Sequence, residues 1–370
     1  MMLHQPYQRR ADLLAVGAEL AANGVGSALL GSYDNVHARG VGEDIRQAVN
    51  LRPLLADAGW RFGRATSGGV ATASWVARPE PTNNATWDVA VAEAAAAQRT
   101  LGVDAIMTPA PEIHGAHGRA ELQKPLEAAR RGFRNRLPTD PPWFARLTLR
   151  DEWLVDKRLR TPLLNEISNL PDDLGVALHV RWRKDKPETD EDLLGGLKHV
   201  ALALAGDDRP LLLLQSGLVG WLSLAWNVAA FSAGLSNASW VDCWSGGGGA
   251  KPGQPKPPNI KWYFEPALLR RFRDDEHDDL AAQAAYQACT CRFCAALASG
   301  AAWVPAAQQH GLYTLGQLTS TVAAAPAAQR RQAVETVIRQ AESEWKKVVP
   351  RAPLSPSPRP VHLQTWLRVL

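Results

Sequence analysis

The sequence is short of cysteine, of long apolar runs and of net charge, and each shortage excludes a class of protein. Only four of the 370 residues are cysteine, too few for a disulfide-stapled scaffold. No run of about 18 apolar residues occurs, so we expect no membrane-spanning helix and no membrane contact. The N-terminal residues have no apolar core followed by a small-residue cleavage site, unlike a secretory signal. We therefore expect a cytoplasmic protein.

The formal net charge of +4 is small for a chain of this length. Dedicated nucleic-acid binders usually carry a basic stripe or a higher domain charge. The charge therefore permits a nucleic-acid partner without requiring one. With 46% apolar residues, the chain can build a large core in one or two domains.

Short apolar runs recur along the chain, and they predict eight strands. Continuous apolar runs, unlike alternating ones, are typical of strands that are buried on both faces. The predicted strands are residues 26–31, 60–67, 104–110, 143–149, 176–182, 210–217, 238–244 and 260–266.

Helical patterns separate most of these runs, notably at residues 84–101, 119–133, 188–205 and 221–233. Alternation of strand and helix indicates a parallel sheet. Eight such units in about 270 residues fit a (β/α)8 TIM-type barrel, whose usual size is about 250 residues. We assign residues 1–270 to this barrel, residues 271–325 to a metal-binding subdomain, and residues 326–370 to a C-terminal helix with a proline-rich tail.

Three of the four cysteines lie within six positions, as Cys289-Thr-Cys291-Arg-Phe-Cys294. Zinc takes four ligands in a tetrahedron and binds thiolates well. His310, the first histidine downstream, is the favoured fourth ligand, and Cys243 is the rival. Iron–sulfur chemistry is less favoured because no fourth cysteine is nearby. The alternative is a set of unpaired buried thiols.

This arrangement resembles the tRNA-guanine transglycosylase family, in which a (β/α)8 barrel carries a zinc subdomain after its last strand. The resemblance covers roughly residues 60–318. It rests on the cysteine run and on His310-Gly-Leu-Tyr313, which is similar to the family's His-Asn-Leu-Tyr segment. Family members exchange a guanine in tRNA, or in DNA for some bacterial relatives, for a 7-deazaguanine. The resemblance implies a tRNA or DNA partner, zinc, and a homodimer or a heteromer with a partner subunit.

The family's catalytic motifs are altered in this sequence. The Asp-Ser-Gly-Gly-Phe motif corresponds to residues 66–70, with Thr66 in the position of the aspartate. The base-pocket motif Gly-Gly-Leu-Ala-Val-Gly-Glu resembles residues 216–221, with Trp221 in the position of the glutamate. The resemblance implies that the substrate contacts Ser67, Gly68, Gly69, Gln215 and Gly217.

Base exchange needs a carboxylate that attacks the anomeric carbon of ribose and a second group that handles the proton of the base. Asp242, at the predicted end of strand seven, is the favoured nucleophile, and Glu265, on predicted strand eight, is the second candidate. Glu112 and Asp151 also follow predicted strands. The alternative for each is a solvent-exposed loop acid, which barrel loops carry in number.

Two groups of arginines are further candidates for contact with nucleic acid. Arg181 and Arg183 flank Trp182 on one predicted strand. Strand alternation points both side chains the same way, and inside a barrel they would need acidic partners. Four arginines at positions 130, 131, 134 and 136 share one predicted helix, where a solvated helix face is the alternative to nucleic-acid contact.

Three functions are compatible with these observations. The first is base exchange, or a related glycosidic reaction, on a nucleic acid. The second is a non-catalytic relative that keeps the fold and the zinc and serves as an accessory or nucleic-acid-binding subunit. The third is an unrelated barrel enzyme, because barrels host many chemistries.

Overall fold

A computed structural model of the chain describes residues 1–4, 10–32, 54–57, 81–115, 118–183, 187–235, 240, 261–298, 303–348 and 360–370. Within these ranges the fold mixes helices with parallel strands. One nine-stranded sheet is formed by β1 (Met2–His4), β2 (Ala28–Ser32), β3 (Leu54–Asp57), β4 (Ile106–Met107), β5 (Glu112–Ile113), β6 (Trp143–Arg150), β7 (Leu174–Arg181), β8 (Leu211–Leu214) and β9 (Ala230–Gly234).

All pairings within this sheet are parallel. The strands follow the order β3-β2-β1-β9-β8-β7-β6-β4, and β5 also pairs with β6. The two ends of this order meet at one point, where a single parallel bridge joins Leu55 of β3 to Ala105, the residue before β4. The parallel α/β architecture that the sequence predicts is therefore present, in a curved sheet.

Alternation along the strands separates two apolar faces of the sheet. In β6, Ala145, Leu147 and Leu149 join the large core under the helices, whereas Phe144 faces the opposite side. The side chains on the opposite faces of the strands form one small cluster, which we call the inner cluster. It contains Met2, Ala28, Leu55, Ala105, Met107, Phe144, Ala177, Leu212 and Leu214.

Helices cover the outer face of the sheet. They are α1 (Arg10–Ala22), α2 (Asn84–Thr100), α3 (Arg119–Arg134), α4 (Glu152–Val155), α5 (Lys157–Ser168), α6 (Glu191–Gly206) and α7 (Gly217–Ser223). Sequence signals set their limits. Asn83 caps α2 through a capping box with Thr86, and Asp190 caps α6 by accepting from the amide of Leu193.

One helix prediction and one strand prediction are wrong, and β3, β5 and β9 were not predicted. The predicted strands at residues 60–67 and, apart from Trp240, 238–244 lie outside the described residues. The predicted helix at residues 221–233 ends early, because Asn227 adopts a left-handed backbone (φ 63°) and the apolar residues after it form β9. The short β1 was not predicted. Predicted strand eight is not in the sheet: Trp262–Glu265 forms β10, which pairs antiparallel with β11 (Arg270–Arg273) in a separate hairpin.

The C-terminal third surrounds this hairpin with helices. They are α8 (Asp274–Ala281), α9 (Cys294–Ala298), α10 (Trp303–Ala323), α11 (Arg330–Val348) and α12 (Val361–Val369). Helix α10 packs against α1 and β10, and α12 packs against α6 and α11. Trp366 of α12 is fully buried and its indole N–H donates to the Glu188 carbonyl at 2.8 Å. The last ten residues thus dock on the body as expected, whereas most of the proline-rich tail lies outside the described residues.

The hairpin runs across residue 270, the boundary that the sequence suggested between barrel and metal-binding subdomain. No helix in the described ranges is both long enough and apolar enough to cross a bilayer.

Candidate metal centre and carboxyl edge of the sheet

A tight turn brings the cysteines together just before α9. The Cys294 amide donates to the Cys291 carbonyl at 3.0 Å, and Cys294 is the first residue of α9. The sulfurs of Cys291 and Cys294 lie 3.5 Å apart. Cys289 belongs to the same group, and all three cysteines are free thiols of intermediate exposure.

His310 completes the cluster from helix α10. Its Nδ1 atom lies 3.3 Å from the sulfur of Cys291 and 3.2 Å from that of Cys294. Its Nε2 atom lies 2.8 Å from the Phe264 carbonyl of β10, an oxygen that can only accept. Nε2 therefore carries the proton, and the lone pair of Nδ1 faces the sulfurs. A backbone carbonyl that fixes the tautomer in this way is typical of a metal-binding histidine.

The geometry of the four residues fits a tetrahedral ion. Their ligand atoms all lie within 4.8 Å of one another. Zinc bond lengths of about 2.3 Å to sulfur and 2.0 Å to nitrogen imply tetrahedral edges of about 3.8 and 3.5 Å. The separations given above are close to these edges. The cluster can hold a metal ion, as the sequence predicts, and His310 is its fourth member among the described residues, whereas Cys243 lies outside them.

The charges of the thiols also suit a cation. Hydrogen bonds with Cys289 and Cys294 lower the pKa of Cys291 to about 3. Hydrogen bonds with Cys289 and Cys291, of which the one with Cys289 has the larger effect, raise the pKa of Cys294. Three sulfurs this close cannot all become thiolates unless a cation offsets their charge, because like charges repel at short range.

Aromatic rings surround the cluster. The ring of Tyr263 stacks on His310, with centroids 4.5 Å apart. A cavity of about 550 Å³ adjoins Cys289 and Cys294 and is bordered by Tyr263, His277, Tyr286 and Trp303 among others. Burial raises the pKa of Tyr263 and of Tyr286, so both phenols stay neutral.

Glu265 belongs to this metal-binding region and not to the sheet, so its predicted position on strand eight is wrong. It is 2% exposed. One carboxylate oxygen accepts from the Tyr286 hydroxyl at 2.6 Å and the other from the Ala267 amide at 3.0 Å. Burial raises the pKa of Glu265. The structure therefore gives this carboxylate contacts within the hairpin, and its catalytic role stays a prediction.

Gln215 and Gly217 lie at the carboxyl edge of the sheet, directly after β8. The Gln215 amide donates to the Ser232 hydroxyl at 2.7 Å. Gly217 has a left-handed φ of +45°, and a Cβ there would lie 2.9 Å from the Trp240 carbonyl. Only glycine suits that backbone and that approach. Ser67, Gly68, Gly69 and Asp242 lie outside the described residues.

Polar side chains occupy the inner face of β6 and β7 near the same edge. Arg146 and His179 are only 4% and 7% exposed, and Nη2 of Arg146 lies 3.5 Å from Nδ1 of His179. Nη1 of Arg146 donates to the Thr148 hydroxyl at 2.7 Å and to the Ala110 carbonyl at 3.4 Å. Sequence reasoning missed this group. The signal was the alternation of Arg146, Thr148 and Arg150 with apolar residues in the β6 sequence WFARLTLR.

Glu112 joins two arginines at the rim of this face. Arg150 donates to one of its oxygens at 3.0 Å and Arg181 to the other at 2.5 Å. Burial alone would raise the pKa of Glu112, but the two arginines outweigh it and hold the pKa below its ordinary value. Arg181 therefore has the acidic partner that its predicted inward direction required. Asp151 accepts from the Arg183 amide at 2.7 Å.

Part of the predicted basic helix face is paired within the protein, and Arg136 lies two residues beyond the end of α3. Arg130 contacts Glu166 of α5, and Arg131 contacts Asp88 of α2. These ion pairs join neighbouring helices, so they account for two of the four arginines without a nucleic acid.

Comparisons with known proteins leave the family open: no protein-family model matches this chain, and no curated protein matches it.

Proposed function

We propose that the chain is a divergent relative of the tRNA-guanine transglycosylases, a closed (β/α)8 barrel with a structural zinc ion, which acts on a base in a nucleic acid. The observation that carries the proposal is the place of the metal cluster in the chain. The cluster follows β9, the last parallel strand among the described residues, and its histidine lies on α10, which packs against α1. The resembling family carries its zinc subdomain at the same point.

Two observations support closure of the barrel. The Leu55–Ala105 bridge joins the two ends of the strand order. The inner cluster also draws residues from strands across the whole order, from β3 to β4. A flat sheet could not bring these side chains into one compact group, whereas the interior of a small barrel is filled in this way.

Zinc is the proposed metal because three thiolates and one imidazole nitrogen form a common tetrahedral zinc site. All four positions would be filled by protein atoms, which leaves none for water or substrate. The ion would therefore be structural, and it would hold the turn before α9 against α10.

Asp242 is the proposed nucleophile. In the sequence it stands two residues after Trp240, whose carbonyl adjoins Gly217 at the carboxyl edge of the sheet. Asp242 itself lies outside the described residues, and the proposal assigns its carboxylate to this edge because barrel enzymes carry their active sites there. Its carboxylate would attack the anomeric carbon as the base leaves, and water or a new base would later displace it.

A specific observation also favours the accessory function. The described acids at the carboxyl edge, Glu112 and Asp151, are engaged with Arg150, Arg181 and the Arg183 amide, and Glu265 lies in the metal-binding region. Such a chain would keep the fold and bind a nucleic acid beside a catalytic partner.

Exchange of labelled guanine into tRNA and DNA tests the proposal. Wild-type protein should incorporate label, and Asp242→Asn should reduce incorporation by at least 10³-fold, while Asp207→Asn, at the C-terminus of α6, should leave it unchanged. Absence of exchange by wild type, with nucleic-acid binding retained and unaffected by Asp242→Asn, would favour the accessory function instead.

A further inference from the structure

The aromatic cavity beside the metal cluster is not used by the proposed reaction. Its volume is about 550 Å³, and four rings border it, those of Tyr263, His277, Tyr286 and Trp303. The last three of these residues are only half-buried. Their rings are therefore walls of a concave surface and do not fill the core. Concave surfaces lined by aromatic rings are common places for a ligand.

The rings are inclined to one another around His277. The centroid of His277 lies 4.1 Å from that of Tyr263, 6.2 Å from that of Tyr286 and 6.4 Å from that of Trp303. The planes of Tyr286 and Trp303 stand at 88° and 72° to the plane of His277. Rings inclined in this way border the cavity on more than one side, whereas parallel rings would fill the space by stacking.

Contacts with buried residues fix two of these walls. The Tyr286 hydroxyl donates to Glu265 at 2.6 Å, and the Tyr263 ring stacks on His310 with the two planes 10° apart. Glu265 and His310 are both buried. The walls are thus held in place before a ligand arrives, which lowers the entropic cost of binding.

The described residues that line the cavity carry an excess of negative charge. Their charged side chains are Lys261, Asp274 and Asp278. Nζ of Lys261 lies 3.5 Å from Oδ2 of Asp274, so these two charges offset each other and Asp278 supplies the excess. Burial lowers the pKa of His277, so its ring adds no positive charge at neutral pH. A zinc ion bound by three thiolates would make this wall more negative still. Such a lining repels phosphate and attracts a cation.

We propose that this cavity binds a quaternary ammonium group, the group that choline and the trimethylated lysine side chain carry. The faces of aromatic rings attract such cations, and the methyl groups on the nitrogen bury apolar surface against the rings. The cavity is larger than one trimethylammonium group, so it also has room for the chain to which the group is attached. The inference is independent of the proposed base exchange, because the described lining residues lie outside the parallel sheet.

Calorimetric titration of the zinc-loaded, full-length protein with choline chloride tests the site, with sodium chloride at equal ionic strength as the reference. The neutral isostere 3,3-dimethylbutanol, which has the shape of choline without its charge, is titrated in parallel. Wild-type protein should bind choline at least tenfold more tightly than the isostere, because only the cation is attracted by the ring faces and by Asp278.

Two substitutions separate the aromatic and the electrostatic contributions. Trp303→Leu keeps an apolar wall but removes its aromatic face, so it should weaken choline binding at least tenfold, whereas Trp303→Phe should stay within threefold of wild type. Asp278→Asn should weaken choline binding at least threefold. Its matched control is Asp275→Asn, on the same helix but 64% exposed and paired with Arg273, which should leave binding unchanged.

The zinc content of each variant is measured first, because Cys289 and Cys294 border the cavity. If Trp303→Leu loses its zinc, Asp278→Asn and the comparison of choline with its isostere in wild type decide the question. A peptide that carries trimethyllysine, compared with the same peptide carrying unmodified lysine, distinguishes a protein side chain from a small molecule as the source of the ammonium group.

The site is supported if choline or the trimethylated peptide binds more tightly than its reference compound and this binding weakens in Trp303→Leu or Asp278→Asn. Absence of choline and peptide binding by wild type, equal affinity for each ligand and its reference, or affinities unchanged in both variants would overturn it. Base exchange is measured separately, so its absence bears on the proposed reaction and not on this site.

Discussion

At the scale of single residues, the metal cluster is the part of the site that the sequence predicts best. Close spacing of Cys289, Cys291 and Cys294 limits the turn that can hold them, and His310 is the next suitable ligand along the chain. The contact that prepares His310, from Nε2 to the Phe264 carbonyl, could not be predicted. It joins residues 46 positions apart through a hairpin that the sequence analysis had placed in the barrel.

Replacement of His310 should therefore release the metal. We expect wild-type protein to retain about one zinc ion per chain and His310→Ala to retain almost none, because a ligand on α10 is lost from a four-ligand site. Mass spectrometry of metal content after dialysis measures this. His199→Ala, on the exposed side of α6, is the matched control and should keep its metal. Equal zinc in both variants would contradict the assigned ligand.

Glu112 gives a prediction about pH. Its pKa is lowered in the folded protein, so its contribution to stability is present above the ordinary glutamate pKa of about 4.3 and is lost as the pH falls through the folded value. Glu112→Gln should lower the free energy of unfolding by roughly 1 kcal/mol at pH 7, since the pair is partly exposed. This difference should shrink below pH 4. Urea unfolding at both pH values measures it, and a difference that grows in acid would contradict it.

At the scale of elements, periodicity predicts the long helices and central strands well. Helices α2, α3 and α6 and strands β6 and β7 lie within a few residues of their predicted positions, because each buries a full apolar face. The errors fall where one residue changes the backbone. Asn227 has a left-handed backbone conformation, which ends the helical pattern and allows β9 to begin. The φ angle of this one residue is decided by packing.

At Gly217, the first residue of α7, the backbone φ angle of a single residue again matters. Gly217→Ala should destabilise the protein by about 1–2 kcal/mol, because alanine is strained at positive φ and its Cβ would press on the Trp240 carbonyl. Gly195→Ala is the control, since it lies within α6 with open space around its Cβ, and it should stabilise by about 0.5–1 kcal/mol. Chemical unfolding of both variants measures the signs, and the same sign for both would refute the argument.

At the scale of the whole molecule, alternation of strands and helices predicts a parallel sheet but not which strands meet. Of the eight predicted strands, the one at residues 260–266 lies in the separate hairpin, and those at residues 60–67 and, apart from Trp240, 238–244 lie outside the described residues; the predictions omit β1, β3, β5 and β9. The curvature depends on contacts between distant segments, such as the Leu55–Ala105 bridge and the inner cluster. Such contacts are set by packing of the complete chain, so local pattern alone does not contain them.

Closure of the sheet makes a prediction about amide exchange. In a closed barrel, β3 and β4 have neighbours on both sides and their amides should exchange about as slowly as those of β7, whereas in an open sheet they would be edge strands. Hydrogen exchange with mass spectrometry compares these segments, with the two-stranded β10–β11 hairpin as an internal reference for free edges.

Leu55→Lys, which puts a charge into the inner cluster, should speed exchange in β4 more than in β7, because β4 adjoins the bridge across which Leu55 pairs. Val89→Lys, on the exposed side of α2, should change neither. Fast exchange of β3 and β4 in wild type would show that the curved sheet is open there, and the proposed closed barrel would be wrong.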